Sequence, residues 1–438
     1  MNTLTIPEFA LVVLIGASGA GKSTFARKHF LPTEVISSDV CRGLVSDDEN
    51  DQSATKDAFE LVHFLAGKRL EKRRLSVIDA TNVRPEDRKS LVALARRYYA
   101  QLVAIVLNPG QSVCHERNQH RPDRQFGAHV VQNQYQQLMR GINGLDREGF
   151  RCIYELRSVE VINEAVIVRQ RLPTDGRDLH GPFDIMGDVH GCFDELWQLL
   201  GKLGYRMGED QQGFYAHHPQ DRRLAFVGDL VDRGPKVVEV LQLVMRMVKD
   251  GTALCVLGNH EAKLLKWLQG RNVKLTHGLQ ASVTQLQQCS ESFRLEVHQF
   301  LESLPSHYWL DEGKLVVVHA GIKPGMIGRA SNALKAFCIY GETTGETDEF
   351  GLPIRYPWAM DYRGNTYIVY GHTPALQAGW LNHTICLDTG CVFGGKLSAL
   401  HYPEMELVSV DALQVYCEPS RPLGLPSGLP TFHPTPTP

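Results

Sequence analysis

Residues 11–24, LVVLIGASGAGKST, decide the fold of the first half of this 438-residue chain. From Gly16 to Ser23 the stretch fits G-x-x-x-x-G-K-S, directly after an apolar run and directly before the helical segment FARKHF. Glycines in such a loop let backbone N–H groups turn inward to hold phosphate oxygens, and the helix that follows adds its positive end. The sequence therefore predicts a phosphate-binding P-loop between a strand and a helix.

The P-loop also predicts how a nucleotide is held. Lys22 would reach the β and γ phosphates of ATP, and Ser23 would ligate Mg²⁺. The residues expected to contact the nucleotide are Gly16, Ser18, Gly19, Gly21, Lys22, Ser23 and Thr24.

The acceptor side of the reaction is predicted from the next strand, VISSD, which ends on Asp39, with Arg42 one helical turn later. In P-loop kinases a carboxylate here accepts the proton of the acceptor hydroxyl, and we expect Arg42 to hold an acceptor phosphate. The alternative for Asp39 is a helix N-cap. Asp79, in VIDATN, either orients Mg²⁺ through water or is a buried strand-end carboxylate bonded to the P-loop.

A row of arginines lies farther on, in ERNQHRPDRQ. Arg117, Arg121 and Arg124 recur at i, i+4 and i+7, which is one face if the segment is helical. Such a row could close over ATP and neutralise charge on the transferring phosphoryl group. Pro122 disfavours a continuous helix, and a solvated basic face is the alternative.

The organisation of residues 11–170 is that of a doubly wound α/β domain. The runs LVVLIG, TEVISSD, LSVIDATN and LVAIVLN are almost continuously hydrophobic, as in parallel strands covered on both faces. Between them, Asp57–Arg73 and Pro85–Tyr99 carry apolar residues at helical spacing. We therefore predict a P-loop kinase domain over residues 1–168.

The second half of the chain follows a change in composition. Residues 169–182, QRLPTDGRDLHGP in their core, lose periodicity and gain Pro and Gly, which predicts a linker. A second domain is predicted over 183–412, with strand-like runs that each end at a polar residue and a helical insert near Leu264–Leu304. The Pro-rich stretch 413–438 is expected to be a disordered tail.

Four blocks in this second domain place metal-binding side chains at the ends of apolar strands. They are GDVHG (187–191), GDLVDRG (228–234), GNHE (258–261) and the pair of His319 with GHT (371–373). Two divalent ions about 3.5–4 Å apart, bridged by a carboxylate and a water, are what such a donor set holds in hydrolases. The mixed O and N set suits Mn²⁺ or a similar transition metal. The expected ligands are Asp188, His190 and Asp229 for the first ion and Asp229, Asn259, His319 and His372 for the second.

The same blocks supply the remaining catalytic groups, and together they predict an α/β-sandwich metallophosphoesterase of the calcineurin-like type. Arg233 can bind substrate phosphate bidentately. His260 is placed to protonate the leaving oxygen, with Asp232 orienting it. Asp388, in ICLDTG, either enters the site or caps a turn.

Composition excludes several classes of protein. With 43% hydrophobic and 22% charged residues the chain is of the globular type, and a net charge of −3 argues against broad coating of nucleic acid. Neither a signal peptide nor a bilayer-spanning stretch is evident. The ten cysteines are scattered without a Cys-x-x-Cys pair, which indicates free thiols and a cytoplasmic protein.

With both halves on one chain, the sequence resembles the bacterial polynucleotide kinase–phosphatases of RNA repair. The resemblance covers nearly all of residues 8–410 and rests on GASGAGKST, ISSDVCRGLVSDDEND, VIDATN, ERNQHRPDRQ, GDVHGC, GDLVDRGP, GNHE and GHT. It implies phosphorylation of polynucleotide 5′-OH ends by the first domain. For the second it implies removal of 2′-phosphate, 3′-phosphate or 2′,3′-cyclic phosphate.

The chain departs from that family in one respect. Family members carry a C-terminal ligase-type adenylyltransferase with a K-x-D/N-G motif, and none follows Asp388 here. Sealing is therefore not predicted, and the expected partners are RNA or DNA strand ends and a separate ligase, with homo-oligomerisation left open. Two alternatives stay open: a nucleoside or small-molecule kinase fused to a dinucleoside polyphosphate or protein phosphatase, and a phosphatase whose P-loop only senses ATP.

Overall fold

The computed structural model describes residues 2–120, 126–420 and 423. The chain divides into two compact units, an N-terminal unit of Met1–Leu172 with Arg329–Ser331 and a C-terminal unit of Pro173–Gly328 with Asn332–Pro438. Of the helices described, none combines the length and apolar character that crossing a bilayer requires.

The N-terminal unit alternates strands with helices. Its strands are β1 (Thr3–Pro7), β2 (Ala10–Ile15), β3 (Val35–Ser37), β4 (Ser76–Asp79), β5 (Gln101–Leu107), β6 (Cys152–Leu156) and β7 (Val166–Gln170). Its helices are α1 (Lys22–His29), α2 (Ser38–Ser46), α3 (Thr55–Glu71), α4 (Pro85–Arg97), α5 (Gln111–Gln119), α6 (Ala128–Gly141), α7 (Leu145–Glu148) and α8 (Val159–Glu164).

The main sheet of this unit is parallel, with the strand order β3-β4-β2-β5-β6, and β1 pairs with β7 in a separate two-stranded sheet. The order reverses at β2, because β3 and β4 lie on one side of it and β5 and β6 on the other. Ligands of such sheets bind at the carboxyl ends of the strands where the order reverses. The P-loop follows β2 and therefore occupies that place.

The central strand β2 shows why the sheet is covered on both faces. All six of its residues are buried, and successive side chains point to opposite faces. Leu11, Val13 and Ile15 join one hydrophobic core. Ala10, Val12 and Leu14 join the other. The predicted α/β architecture of this half is confirmed.

The C-terminal unit has more strands than helices. Its strands are β8 (Asp175–Gly176), β9 (Phe183–Met186), β10 (Arg206–Asp210), β11 (Gly213–His217), β12 (Arg223–Phe226), β13 (Ala253–Cys255), β14 (His307–Leu310), β15 (Leu315–Val318), β16 (Thr343–Thr347), β17 (Pro353–Arg355), β18 (Tyr367–Tyr370), β19 (Trp380–Leu381), β20 (Thr384–Cys386), β21 (Lys396–Tyr402) and β22 (Glu406–Asp411). Its helices are α9 (Phe193–Lys202), α10 (Val237–Lys249), α11 (Asn259–Leu268), α12 (Leu279–Gln287), α13 (Glu291–Ser303), α14 (Asn332–Tyr340) and α15 (Trp358–Asp361).

Two sheets form a sandwich in this unit, as predicted. One has the order β13-β12-β9-β21-β22, and the other has the order β19-β20-β18-β15-β14-β8. Side chains from both sheets, among them Ile185 and Ala225 on one and Val317 and Val369 on the other, share a single core. A larger core covers the outer face of the first sheet with α9 and α10.

The boundary between the two units, Leu172 to Pro173, falls inside the predicted linker 169–182. Short strands enter this stretch from both sides, because β7 runs to Gln170 and β8 pairs with β14. The start of the predicted disordered tail is also held in place, since Leu413 N and the Tyr416 hydroxyl both donate to Glu195 Oε1, at 2.9 and 2.8 Å. Residues 421–422 and 424–438 of the tail lie outside the described residues.

Candidate active sites

The P-loop of the N-terminal unit is a tight turn that packs against neighbouring elements. Gly19 and Gly21 have φ values of 82° and 95°, which favour glycine. A Cβ on Gly19 would also overlap the Cys114 carbonyl oxygen at α5. Ser18 N donates to Gln134 Oε1 at 2.8 Å. The loop glycines are therefore required by backbone conformation and by close packing.

Lys22, Ser23 and Asp79 meet at the start of α1. Lys22 Nζ lies over the loop and donates to the carbonyl oxygens of Gly16 and Ala17, at 2.9 and 3.0 Å. Burial raises the pKa of Asp79, whereas Lys22 and a hydrogen bond with Ser23 lower it. Asp79 is thus a buried carboxylate at a strand end that is hydrogen-bonded to Ser23, the predicted Mg²⁺ ligand. This geometry fits both a structural bond to the P-loop and orientation of Mg²⁺ through water.

Asp39 does not cap its helix, so that alternative is wrong. The cap of α2 is Ser37, whose hydroxyl accepts from Val40 N at 3.4 Å. Asp39 lies in the first turn with its side chain 34% exposed. Its charge also contributes to the raised pKa of Asp79, after burial of that carboxyl.

Arg42 is buried and holds Asp39. Its Nη1 donates to Asp39 Oδ1 at 2.7 Å and to the Glu49 carbonyl oxygen at 2.9 Å. The whole residue is 4% exposed. This position lets Arg42 orient Asp39.

Of the arginine row, Arg117 is described and lies in α5. A Cβ on Gly21 would be 3.4 Å from Arg117 Nη1, which places the guanidinium over the P-loop. Arg121 and Arg124 lie outside the described residues.

In the C-terminal unit, the predicted metal ligands converge from the carboxyl ends of five strands. Asp188 and His190 follow β9, Asp229 follows β12, and Asn259 begins α11 after β13. His319 follows β15 and His372 follows β18.

Asp229 lies between two groups of donors. Its Oδ2 is 3.6 Å from His190 Nε2. Its Oδ1 is 3.4 Å from His319 Nε2. His319 Nε2 in turn is 2.9 Å from both Asn259 Oδ1 and His372 Nδ1. The structure thus brings His190, His319 and His372 around the predicted bridging carboxylate, with Asn259 beside His319. Asp188 Oδ2 accepts from His372 N at 3.0 Å.

Backbone carbonyls fix the orientation of two of the histidines. His190 Nδ1 is 2.8 Å from the Val231 carbonyl oxygen, and His319 Nδ1 is 3.0 Å from that of Val227. A carbonyl can only accept, so each Nδ1 carries the proton and each Nε2 lone pair faces Asp229. Such contacts orient metal-binding imidazoles in general.

Strained backbone is concentrated at this centre. His190, Asp229, Asp232, Arg233 and His372 all have φ between 46° and 74°. A left-handed conformation costs about 1–3 kcal/mol for residues other than glycine and persists where the surroundings impose it. The turns after the strands therefore hold the side chains in place at a cost to stability.

The donor set fits divalent cations. Asp188 Oδ1 and His372 Nε2 are buried and have no hydrogen-bond partner in the part of the chain that the structure describes. Burial and mutual repulsion among carboxylates raise the pKa of Asp188 and Asp229 well above the usual range. Burial lowers the pKa of His319 to about 3, so that its imidazole is neutral, as metal binding requires.

Asp232 and His260 form a buried pair, and Ser282 completes it. His260 Nδ1 is 2.6 Å from Asp232 Oδ2, and the Ser282 hydroxyl donates to Asp232 Oδ1 at 2.5 Å. Burial raises the pKa of Asp232 to about 6. Burial and the Arg233 charge lower the pKa of His260 well below its usual range. Ser282 was not predicted, since no motif links α12 to the GDLVDRG block.

Two arginines flank the centre. Arg233 Nη1 lies 2.5 Å from His190 Nε2, and its guanidinium stacks over Phe393 at 5.1 Å. Arg355, from β17, donates to the His372 carbonyl oxygen at 3.1 Å and to Thr373 Oγ1 at 2.8 Å. Arg355 could not be predicted from the sequence, because it lies in an exposed hairpin without a recognisable motif.

Asp388 fits both interpretations of its role. Its Oδ1 accepts from Gly390 N at 3.1 Å, which caps the turn after β20. Its charge also raises the pKa of Asp188, so it contributes to the electrostatics of the centre.

Glu261 supports the backbone beneath the metal ligands. Its carboxylate accepts from the N–H groups of Asp229, Leu230 and Gly258, at 2.8, 2.7 and 3.1 Å. Glu261 belongs to the GNHE block, but the motif alone predicted no role for it. Its position in the first turn of α11, three residues after Gly258, is the capping pattern that could have indicated one.

Replacing Glu261 with alanine should destabilise the C-terminal unit by about 3 kcal/mol or more, because each buried N–H left without a partner costs about 1–3 kcal/mol. All five tryptophans lie between Trp197 and Trp380, so tryptophan fluorescence during urea unfolding reports this unit. Glu296→Ala, at an exposed site on α13, is the matched control. Equal midpoints for the two variants would contradict the supporting role.

These features define the C-terminal unit as a metallophosphoesterase and the N-terminal unit as a P-loop domain, and comparison with known proteins agrees. The AAA domain profile matches residues 11–144, and the calcineurin-like phosphoesterase profile matches residues 181–376. The chain therefore belongs to the calcineurin-like phosphoesterase family.

Three relatives illustrate the similarity, and each is named asymmetrical bis(5′-nucleosyl)-tetraphosphatase PrpE. The protein of Anoxybacillus flavithermus is 47% identical over 238 residues, or 53% of this chain and 96% of that protein. That of Halalkalibacterium halodurans is 48% identical over 236 residues, or 53% and 94%. That of Bacillus velezensis is 45% identical over 238 residues, or 53% and 94%.

Proposed function

We propose that this chain is a bifunctional enzyme that repairs polynucleotide ends. Its P-loop unit transfers phosphate from ATP to 5′-OH ends, and its phosphoesterase unit removes 2′-phosphate, 3′-phosphate or 2′,3′-cyclic phosphate. The observation that carries the proposal is Asp39, a half-buried carboxylate in the first turn of α2 that accepts a hydrogen bond from buried Arg42. A domain that only senses ATP needs no base on the acceptor side.

In the kinase reaction each residue has a defined task. The P-loop and Lys22 would hold the phosphates of ATP, Ser23 would ligate Mg²⁺, and Asp79 would orient that ion through water. Asp39 accepts the proton of the acceptor hydroxyl as the oxygen attacks the γ phosphorus. Arg117 lies where it can offset negative charge on the transferring phosphoryl group.

In the phosphoesterase reaction the chain binds the phosphate and supplies a proton. Divalent cations held by the ligands around Asp229, Mn²⁺ by preference, would supply Lewis acidity and an activated water. Arg233 binds the phosphate, and His260 donates a proton to the leaving oxygen while Asp232 orients its ring.

Space for a nucleoside adjoins this centre. A cavity of about 340 Å³ lies beside Arg233 and is lined in addition by Gln280, Thr284, Gln285 and Tyr416. A phosphate held by Arg233 would carry its nucleoside into this cavity, which supports nucleotides over small phosphomonoesters as substrates.

Replacing His260 with alanine should slow hydrolysis of a ribonucleoside 3′-phosphate by about 10²–10⁴-fold, because a ribose alkoxide leaves poorly without a proton. The loss on p-nitrophenyl phosphate should be much smaller, since its leaving group needs little protonation. The measurement is steady-state kcat of the wild type, His260→Ala and Asp232→Asn on both substrates. Equal losses on the two substrates would remove His260 from the role of general acid.

A second candidate function is hydrolysis of dinucleoside tetraphosphates, which the names of the relatives favour. A phosphoanhydride has a good leaving group, so this reaction would depend little on His260. Hydrolysis of dinucleoside tetraphosphates would also give the P-loop unit no related reaction to catalyse. For this reason we rank it second.

The acceptor of the kinase can be tested directly. A nucleoside, a nucleoside 3′-monophosphate and a short 5′-OH oligonucleotide are compared by transfer from γ-labelled ATP. The two phosphate-bearing acceptors should exceed the nucleoside in kcat/KM by about ten- to a hundredfold, the worth of one charge-assisted hydrogen bond. A nucleoside that is phosphorylated as well as the oligonucleotide would overturn the polynucleotide proposal and favour a small-molecule kinase.

A further inference from the structure

A second cluster of metal-binding side chains lies beside the phosphoesterase centre but shares none of its ligands. Cys192 follows the GDVHG turn, Glu195 lies in the first turn of α9, and Cys391 follows Gly390 after β20. Ligand atoms of all three lie within 4.8 Å of one another. The residues are 1%, 0% and 2% exposed, respectively.

The two carboxylate oxygens of Glu195 differ in their surroundings. One carboxylate oxygen, Oε1, accepts from Leu413 N and from the Tyr416 hydroxyl. The other, Oε2, is buried without a hydrogen-bond partner among residues 2–120, 126–420 and 423. Burial of an ionised carboxylate costs several kcal/mol unless a cation or hydrogen-bond donors compensate it.

The kind of ion follows from the donors. Sulfur ligands select thiophilic ions, and Zn²⁺ binds Cys and carboxylate donors in tetrahedral sites. The phosphoesterase centre instead offers oxygen and nitrogen donors, which suit harder ions such as Mn²⁺. The two clusters therefore differ in the ions they prefer.

We propose that Cys192, Glu195 and Cys391 form a site for a thiophilic divalent cation, Zn²⁺ by preference. Binding releases the two thiol protons to solvent and forms two Zn–S bonds and one Zn–O bond. The ion joins the turn after β9 to the turn after β20. Through Glu195 it also secures the segment that carries Leu413 and Tyr416.

The test replaces the ion with Co²⁺, whose thiolate complexes absorb strongly in the near ultraviolet through sulfur-to-metal charge transfer. Oxygen and nitrogen ligands give only weak visible bands, so this absorption reports the new site separately from the phosphoesterase centre. The full chain, freed of metal under reducing conditions, is titrated with Co²⁺. Cys391→Ser and Cys192→Ser remove a sulfur ligand, and Cys255→Ser, at another buried thiol in β13, is the control.

We expect charge-transfer absorption in the wild type and in Cys255→Ser. The absorption should be weaker in Cys192→Ser and in Cys391→Ser, and it should be absent when both of these cysteines are replaced. Zinc analysis of the purified chain should show about one Zn²⁺ per chain that stays bound when Mn²⁺ is added in excess. A wild-type chain that binds Co²⁺ without charge-transfer absorption would overturn the proposal, and so would absorption that survives loss of both thiols. Because the decisive reading is on the wild type, a variant that fails to fold cannot obscure it.

Discussion

Replacing Asp229 with alanine is expected to lower phosphate release from p-nitrophenyl phosphate by at least about a thousandfold, equivalent to about 4 kcal/mol of transition-state stabilisation. The carboxylate lies between His190 and His319, at 3.6 and 3.4 Å, so its loss removes the group that joins the two sets of donors. Transfer of phosphate from ATP to a 5′-OH oligonucleotide should persist, since the P-loop belongs to a separately folded unit.

The control for this variant is Glu209→Ala, which removes an exposed carboxylate from β10 in the same unit. Both variants are measured for phosphate release and for kinase activity in one preparation, with tryptophan fluorescence as the check on folding. Phosphate release within tenfold of the wild type in Asp229→Ala would contradict the assignment of the centre.

The converse change, Asp39→Asn, is expected to lower 5′-OH phosphorylation by about 10²–10⁴-fold while leaving phosphate release unchanged. Asparagine keeps the size of the side chain and can still accept from Arg42 Nη1, which donates to Asp39 Oδ1 in the wild type. It cannot take up the proton of the acceptor hydroxyl. The measurement is kcat for transfer from γ-labelled ATP under saturating acceptor.

Asp57→Asn, at an exposed site in the first turn of α3, is the matched control for the kinase variant. ATP binding to Asp39→Asn, measured by equilibrium titration, should match the wild type, because the P-loop is untouched. Normal kinase activity in Asp39→Asn would exclude it as the base, and loss of phosphate release in this variant would favour the ATP-sensing alternative.

The parts of the site that the sequence predicted are those encoded locally at strand ends. Lys22 and Ser23 follow β2 within one motif, and Asp188, Asp229 and His372 each stand two or three residues beyond an apolar strand. Parallel strands bring such positions to one edge of the sheet, so local patterns suffice to place them together.

The parts that the sequence missed depend on contacts between distant segments. Ser282 meets Asp232 across 50 positions. Arg355 reaches Thr373 from an exposed hairpin, and Cys192 meets Cys391 only through the approach of two turns. None of these pairs has a fixed spacing, so scattered cysteines gave no indication of a cluster.

Two local expectations also changed for physical reasons. Ser37 caps α2, two residues before Asp39, because its hydroxyl reaches Val40 N. The segment after Asp411 has a Pro-rich composition, yet Leu413 and Tyr416 are held by the buried carboxylate of Glu195. Composition predicts that a segment has no core of its own, but it does not reveal a partner supplied by another element.

The measurement that tests the central claim most directly follows both ends of one RNA strand. An oligoribonucleotide with a 5′-OH and a 3′-phosphate is incubated with the wild-type chain, ATP, and Mg²⁺ or Mn²⁺, and its products are separated by thin-layer chromatography. Diadenosine tetraphosphate is assayed in parallel at the same concentration. We predict that the strand gains a 5′-phosphate and loses its 3′-phosphate, both faster than the dinucleotide is cleaved. Unaltered strand ends alongside rapid cleavage of diadenosine tetraphosphate would contradict the account.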